Sequence, residues 1–284
     1  MDQVNLQAWV GREEVIEGCV SARAVGDWLV TVSDGEADIP PEGAVAPQLA
    51  HWIAFNPQAP MAELAEDGHP RLGDFLPPVG LPRRMWAGGS LHFKQPLHVG
   101  ERLTRRSRLH AIEEKTGRTS RMVFVTVDHE ISGDNGVAIT ERQDIVYLPF
   151  PETFTPPKPV PAPERPDGET RFAISTPRLF RYSAVTFNAH RIHYDLPYAQ
   201  GVEKLPGLVV HGPMQATALL HYAERFTGQT PSAFRFRSIH PMFHDDDLRL
   251  LALYETPNTL SLSTAAARGG HVGMQATASW EART

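Results

Sequence analysis

Strand-like alternation dominates this chain, and one clear helical period interrupts it. Between Gly100 and Leu148 the pattern is extended: Arg121-Met122-Val123-Phe124-Val125-Thr126-Val127 is rich in β-branched residues and demands at least one buried face. Ser132-Gly133-Asp134-Asn135-Gly136 reads as a turn, after which Val137–Thr140 and Gln143–Leu148 resume the alternation, so a β-meander is predicted. A second meander is predicted from Leu248–Tyr254, Thr259–Thr264 and Gly273–Trp280, separated by Pro257-Asn258 and Arg268-Gly269-Gly270. Met214, Ala218, Tyr222 and Phe226 recur every fourth position, with Leu219 and Ala223 beside them, and predict an amphipathic helix. Pro213 suits its first turn and Gly228 its end.

The two meanders share a lead-in. Phe93-Lys94-Gln95-Pro96-Leu97-His98-Val99-Gly100-Glu101 and Phe236-Arg237-Ser238-Ile239-His240-Pro241-Met242-Phe243-His244-Asp245 both run from an aromatic through proline to a turn and a long strand, a short internal repeat. Between the halves lies PETFTPPKPVPAPERP, with prolines at 151, 156, 157, 159, 161, 163 and 166. Proline fixes φ and removes a donor, so this stretch is expected to be an extended, semi-rigid connection.

Composition narrows the class. The chain has 284 residues, 41% hydrophobic and 21% charged, enough apolar material for a core. A net charge of −6 argues against nucleic acid or an anionic membrane as partner. A single cysteine, Cys19, excludes an internal disulfide and a multi-cysteine zinc site. No signal peptide and no uncharged span of bilayer length is read, which points to a cytoplasmic protein. The 13 histidines direct attention to acid–base chemistry.

The densest polar stretch is Arg181–Asp195, which holds Asn188, His190, His193 and Asp195 within eight positions. A neutral imidazole at His193 suits a general base near neutrality. Asn188 exchanges hydrogen bonds but takes no proton, and Asp195 either orients an imidazole or caps a turn. His190-x-x-His193-x-Asp195 is too short a loop, without a clear further ligand, to be taken as a metal site. His240, His244 and Asp245-Asp246-Asp247 read as a solvated connection. Arg235 and Arg237 alternate with Phe234 and Phe236, and either meet an anionic ligand or face solvent. Arg83-Arg84-Met85-Trp86-Ala87-Gly88-Gly89 either borders a ligand pocket or ends a helix. Gly212, at the start of the predicted helix, gathers unpaired backbone N–H groups.

Tyr182–Asp195 resembles the hydratase signature of the MaoC-like family, closest to the branch of type-2 hydroxyacyl-thioester dehydratases and the mesaconyl-CoA and itaconyl-CoA hydratases. Pro206-Gly207-Leu208-Val209-Val210-His211-Gly212-Pro213-Met214-Gln215-Ala216 is similar to the start of that family's central helix. The resemblance implies an α+β double hotdog, two units each with a long helix wrapped by an antiparallel sheet. The units would span 1–150 and 170–284, joined by a linker over 151–169, and form an internal pseudo-dimer; association into a homodimer stays open. It implies a hydratase or dehydratase of acyl-CoA thioesters, needing no cofactor or metal, with an acyl-carrier-protein dehydratase, a thioesterase or a non-catalytic acyl-CoA-binding subunit as rivals.

Carried onto this sequence, His193 matches the family's catalytic histidine and Asn188 stands where the family has aspartate, leaving His190 or Asp195 as candidates for the second proton acceptor. Gly212 N–H is expected to stabilise the thioester enolate. Tyr182, His211, Arg235 and Arg237 are the candidate substrate-binding residues.

Overall fold

The strand-forming segments assemble into one antiparallel sheet of ten strands. A computed structural model describes residues 5–116 and 121–281. The first half supplies β1 (Glu13–Cys19), β2 (Arg83–Phe93), β3 (Arg102–Thr116), β4 (Arg121–Gly133) and β5 (Gly136–Leu148). The second supplies β6 (Gly168–Phe172), β7 (Ala233–Ser238), β8 (Leu248–Thr256), β9 (Thr259–Ala266) and β10 (Val272–Ser279). In space they run β1-β3-β4-β5-β2-β7-β10-β9-β8-β6, so the order of one half mirrors that of the other about the β2–β7 junction. There Gly89 pairs with Phe236 and Leu91 with Phe234.

The repeated lead-ins make matching hydrogen bonds. Lys94 and Gln95 N–H both donate to Ala138 O, at 2.8 and 3.2 Å, as Ile239 and His240 N–H donate to Gly273 O at 2.8 and 3.1 Å. Ala46 N–H donates to Leu97 O and Val210 N–H to Met242 O, each at 2.8 Å, which makes the chain after Ala46 the counterpart of the chain after Val210.

From that point the halves diverge. The second half continues into the 16-residue helix Gly212–Thr227, closed by Gly228 at φ 67°, whereas the first makes only a four-residue 3-10 turn, Ala50–Ile53. Among the described residues a helix of this length therefore stands in the second unit alone. The first cannot extend its turn: Pro57 follows Asn56 and Pro60 follows Ala59, and a residue before proline is pushed out of the helical region.

The helix layer on the inner face of the sheet is shared. In chain order its members are α1 (Ala22–Val32), α2 (Thr176–Val185), the short α3 (Leu196–Gly201) and α4 (Gly212–Thr227). Ser21 and Ser175 cap α1 and α2 by accepting from Ala24 and Arg178 N–H. α1, from the first half, packs against α2 and α4, and its Trp28 meets His221 edge-on at 5.3 Å. α4 is consequently buried nearly all round from Met214 to Ala223 rather than along one stripe. Burial of this apolar surface by residues of both halves is the main source of cohesion.

The proline-rich connection is extended and mostly exposed, held where Val272 N–H donates to Val160 O and Ala162 N–H to Gly270 O. β6 begins at Gly168, inside the segment read as linker, because Gly168 already pairs with Ala252 of β8. Arg83–Gly89 is part of β2, with a bulge between Trp86 and Gly88, rather than a turn or a helix end. Among the described residues no helix is long and apolar enough to cross a membrane.

Candidate active site

A rigid loop carries His193. α2 ends at Val185, Phe187 takes a left-handed φ of 50°, and Asn188 N–H returns to Ser183 O at 2.8 Å. The Asn188 side-chain oxygen accepts from His190 N–H at 3.0 Å, closing a local turn. A 3-10 turn follows over Arg191–His193. Asp195 accepts from Tyr198 N–H at 3.1 Å to cap α3 and binds the Arg191 guanidinium at 2.9 and 2.8 Å.

His193 Nδ1–H donates to Val209 O at 2.7 Å, which fixes the tautomer and leaves Nε2 as the basic atom. Among the described residues Nε2 has no hydrogen-bond partner. The ring stacks on His211 at 3.6 Å with planes 18° apart and meets His190 edge-on at 5.4 Å. Burial, reinforced by the His190 imidazole, pushes the His193 pKa well below its usual value. His211 is also held neutral by burial. Its Nε2 shares a 2.9 Å hydrogen bond with Ser183 Oγ.

His211 is the residue before α4, and Gly212 is its first residue. Pro213 has no N–H, so Gly212 supplies the first backbone donor at the positive end of the helix dipole. A β-carbon at Gly212 would meet nothing nearer than Ser238 Oγ at 3.7 Å and Trp86 O at 3.9 Å. Internal packing therefore does not require glycine here, since a β-carbon would make only ordinary contacts. Trp86, Trp52 and Phe236 form a mutual edge-on cluster with centroids 5.0 to 6.0 Å apart, walling that region with apolar surface.

The first half reaches the same place through a turn at Asp67-Gly68-His69. Asp67 Oδ2 and His69 Nδ1 are 2.8 Å apart, and His69 N–H donates to Asp67 Oδ1 at 3.0 Å. The His69 ring lies 4.3 Å from that of His190. Burial would raise the Asp67 carboxyl, but the His69 hydrogen bond and charge outweigh it and hold it low. On the other side, His190 Nε2 lies 3.3 Å from Glu203 Oε1, and Arg83 Nε pairs with Glu203 Oε2 at 3.1 Å. Burial lifts Glu203 to about 7 against the pull of Arg83 and lowers His190 to about 4. Asp67, His69 and His190 present ligand atoms within 4.8 Å of one another. Each is already engaged, Asp67 with His69 and His190 with Glu203, so the cluster reads as hydrogen-bonded pairs.

Of the residues expected from sequence, His193, Asn188, His190, His211 and Gly212 come together. Tyr182 is 1% exposed and sits behind His211, centroids 4.8 Å apart, so it supports the site rather than touching substrate. Asp195 is not a proton acceptor here: Arg191 holds its carboxyl below the usual range, and both oxygens are spent on Arg191 and the α3 cap. Arg235 and Arg237 do not reach the site. β7 alternates, so Phe234 and Phe236 face the core while both arginines project from the opposite, exposed face. His240, His244 and the Asp245–Asp247 run hold no metal cluster among the described residues; His244 Nδ1 accepts from Leu208 N–H, and the aspartates engage Arg171 and Arg268. Asp67, His69 and Glu203 are not marked as site residues by the sequence pattern, whereas Arg84 lies in the stretch Arg83–Gly89 that it offers as a pocket border. Asp67-Gly68-His69 carries a turn signal, but nothing in its spacing ties it to position 190.

Two mirrored sheet halves, with a buried imidazole stacked on the residue that precedes the long helix of the second, define the double-hotdog class. Residues 49–244 match the family described as hydroxyacyl-thioester dehydratase type 2. The chain is 41% identical over 254 residues to mesaconyl-C(4)-CoA hydratase of Chloroflexus aurantiacus, covering 89% of this chain and 90% of that protein. This chain belongs to the type-2 hydroxyacyl-thioester dehydratases. In fold it is similar to a MaoC-like dehydratase from Phytophthora capsici, with TM-score 0.73, 15% identity and 98% of each chain covered. It is similar also to a Mycobacterium tuberculosis protein described as a double hotdog fold, with TM-score 0.62, 12% identity, and 95% of this chain and 96% of that one covered.

Proposed function

We propose that this chain adds water reversibly across the double bond of a short 2-enoyl coenzyme A thioester whose acyl part carries a second carboxylate, as in the mesaconyl group. The observation that carries the reading is the tautomer of His193: with Nδ1–H fixed on Val209 O, Nε2 is the atom left to take a proton. The identity to the Chloroflexus hydratase supports the acyl class.

In the hydration direction His193 Nε2 accepts a proton from water as the water oxygen bonds to the β-carbon. The electron pair of the double bond moves toward the thioester, and its oxygen takes up negative charge. Gly212 N–H is the donor for that oxygen, and loss of one such donor commonly costs about 3 kcal/mol of barrier. The proton on Nε2 then passes to the α-carbon, which restores the neutral imidazole and balances the addition. Asn188 keeps its side-chain oxygen on His190 N–H and has its amide nitrogen left to hold the water. Ser183 and Val209 act behind the ring by fixing His211 and His193.

Mass spectrometry of the purified protein with crotonyl-, mesaconyl- and itaconyl-CoA tests the reading, with His193→Ala as control. A gain of one water that disappears in the variant is the expected result. Release of free coenzyme A would replace the hydratase by a thioesterase. Reaction only with carrier-protein thioesters would move the substrate to that class.

A further inference from the structure

Glu203 is a buried carboxylate that the hydration steps above do not use. It is 2% exposed, and the chain bends to place it there. Its N–H returns to Tyr198 O at 3.3 Å just after α3, and Lys204 takes a left-handed φ of 58°. A non-glycine residue adopts that conformation only where its surroundings require it. The two carboxylate oxygens serve different partners: Oε2 pairs with Arg83 Nε at 3.1 Å, and Oε1 lies 3.3 Å from His190 Nε2. An ionised carboxylate only accepts, so the proton of the second contact sits on His190 Nε2, and Nδ1 keeps its lone pair. Among the described residues Nδ1 makes no hydrogen bond.

His190 adjoins the base directly. Its ring stands edge-on to that of His193, with planes 89° apart and centroids 5.4 Å apart. The attacking water brings two hydrogens to this place. His193 Nε2 takes one, and the other O–H needs an acceptor, because an unpaired donor in a buried site is costly. The neighbouring side-chain oxygens are engaged: Asn188 with His190 N–H at 3.0 Å, Asp195 with Arg191 and the α3 cap, and Asp67 with His69. We propose that Glu203 is a positioning residue that fixes His190 as the Nε2–H tautomer, so that His190 Nδ1 accepts the second hydrogen of the attacking water. The inference rests on the hydration reading above and supplies the acceptor that Asn188, standing in place of an aspartate, does not. Arg83, which pairs with Glu203, belongs to β2, so the first half sets the tautomer of a histidine in the second.

Glu203→Gln changes the tautomer while keeping the shape. Arg83 can only donate and claims the single amide oxygen, so the NH2 group turns to His190, donates to Nε2 and shifts the ring proton to Nδ1. The assay is run at pH 8, above the value of about 7 to which burial lifts Glu203. There Glu203→Gln is expected to lower kcat for hydration by about 10²-fold, with KM little changed because Glu203 does not touch substrate. Adding Arg83→Met frees the amide to rotate and should recover part of that kcat; no recovery overturns the tautomer assignment. Nitrogen NMR of isotopically labelled histidine, with the His190 signals identified by their absence in His190→Asn, should show Nε2–H in wild type and Nδ1–H in Glu203→Gln. Thermal unfolding shows that each variant is folded. If Glu203→Gln does not fold, the wild-type spectrum decides, and an Nδ1–H tautomer there overturns the proposal. A folded Glu203→Gln enzyme with unchanged kcat overturns it and leaves the hydratase reading intact. A wild type that hydrates none of the thioesters overturns that reading and the role of His190 Nδ1 with it.

Discussion

The backbone N–H of Arg191 donates to the carbonyl oxygen of Asp67 at 2.9 Å, joining the loop that carries His193 to a turn of the first half. Gly68 makes the approach possible. It holds φ at +92°, and a β-carbon there would lie 1.9 Å from Ala189 O. Gly68→Ala is therefore expected to push the two loops apart, at a cost of about 1–3 kcal/mol for the strained backbone, and to lower kcat through displacement of His190 and His193. Denaturant unfolding and steady-state kinetics check it. An unchanged kcat would mean that the junction does not position the base.

His193→Ala removes the imidazole whose Nε2 is left to take a proton beside the start of α4. Turnover should fall by about 10²–10⁴-fold, the usual contribution of a general base, while binding of an unreactive acyl-CoA is kept. Because burial holds His193 neutral, the acidic limb of kcat/KM in the wild type should fall below pH 6.5, the ordinary imidazole value. A limb at or above that value would assign the pH dependence to another group.

Asp195→Ala tests the capping role. The substitution removes the α3 cap and the Arg191 ion pair, so the melting temperature should drop by a few degrees with kcat little altered. Asp195→Asn, which can still cap a helix, should recover most of that drop. A large loss of kcat in a folded Asp195→Asn protein would restore Asp195 as an acid–base candidate.

Acidification should destabilise the fold. Burial lowers His129, His190 and His221 to about 4. In the unfolded chain these imidazoles take up protons near pH 6.5, so the unfolded state binds more protons than the fold between about 6.5 and 4. Stability is then full above 6.5 and declines as pH falls through that window, each group contributing up to about 1.4 kcal/mol per pH unit. Glu203 and Glu224, raised to about 7 by burial, act in the opposite sense between their unfolded value and 7, but the histidines are more numerous. Urea unfolding from pH 4 to 8 measures the slope, and a stability that is flat or rising toward pH 5 would contradict it.

A fragment beginning near Asp167 keeps His193 and α4 but loses β2, against which β7 is paired from Ala233 to Arg237. It also loses α1, which covers part of α4. Poor solubility and no turnover are expected, read by gel filtration and the hydration assay. A soluble, active fragment would show that the first half is dispensable.

Much of the architecture is legible in local pattern. Val123, Val125 and Val127 alternate because one face of β4 is buried, and the four-residue recurrence from Met214 marks a helix that Pro213 starts and Gly228 stops. Both depend on neighbours in sequence, as do the two matching lead-ins. The motif Asn188–Asp195 likewise announces its chemistry, since the turns that orient His193 are made by residues within it. The assignment of partners lay beyond local pattern. Arg235 and Arg237 look equally suited to ligand or solvent until the sheet fixes which face of β7 is inward, and Asp195 looks like a catalytic carboxylate until Arg191 and Tyr198 claim it. Asp67 and His69 stand more than a hundred positions before His190, in a stretch without regular period, and reach it only when the two halves of the sheet join at β2 and β7. Local sequence thus determined the elements and the base. Long-range closure decided which groups surround that base, because contacts between distant segments depend on the geometry of the whole sheet rather than on any spacing along the chain.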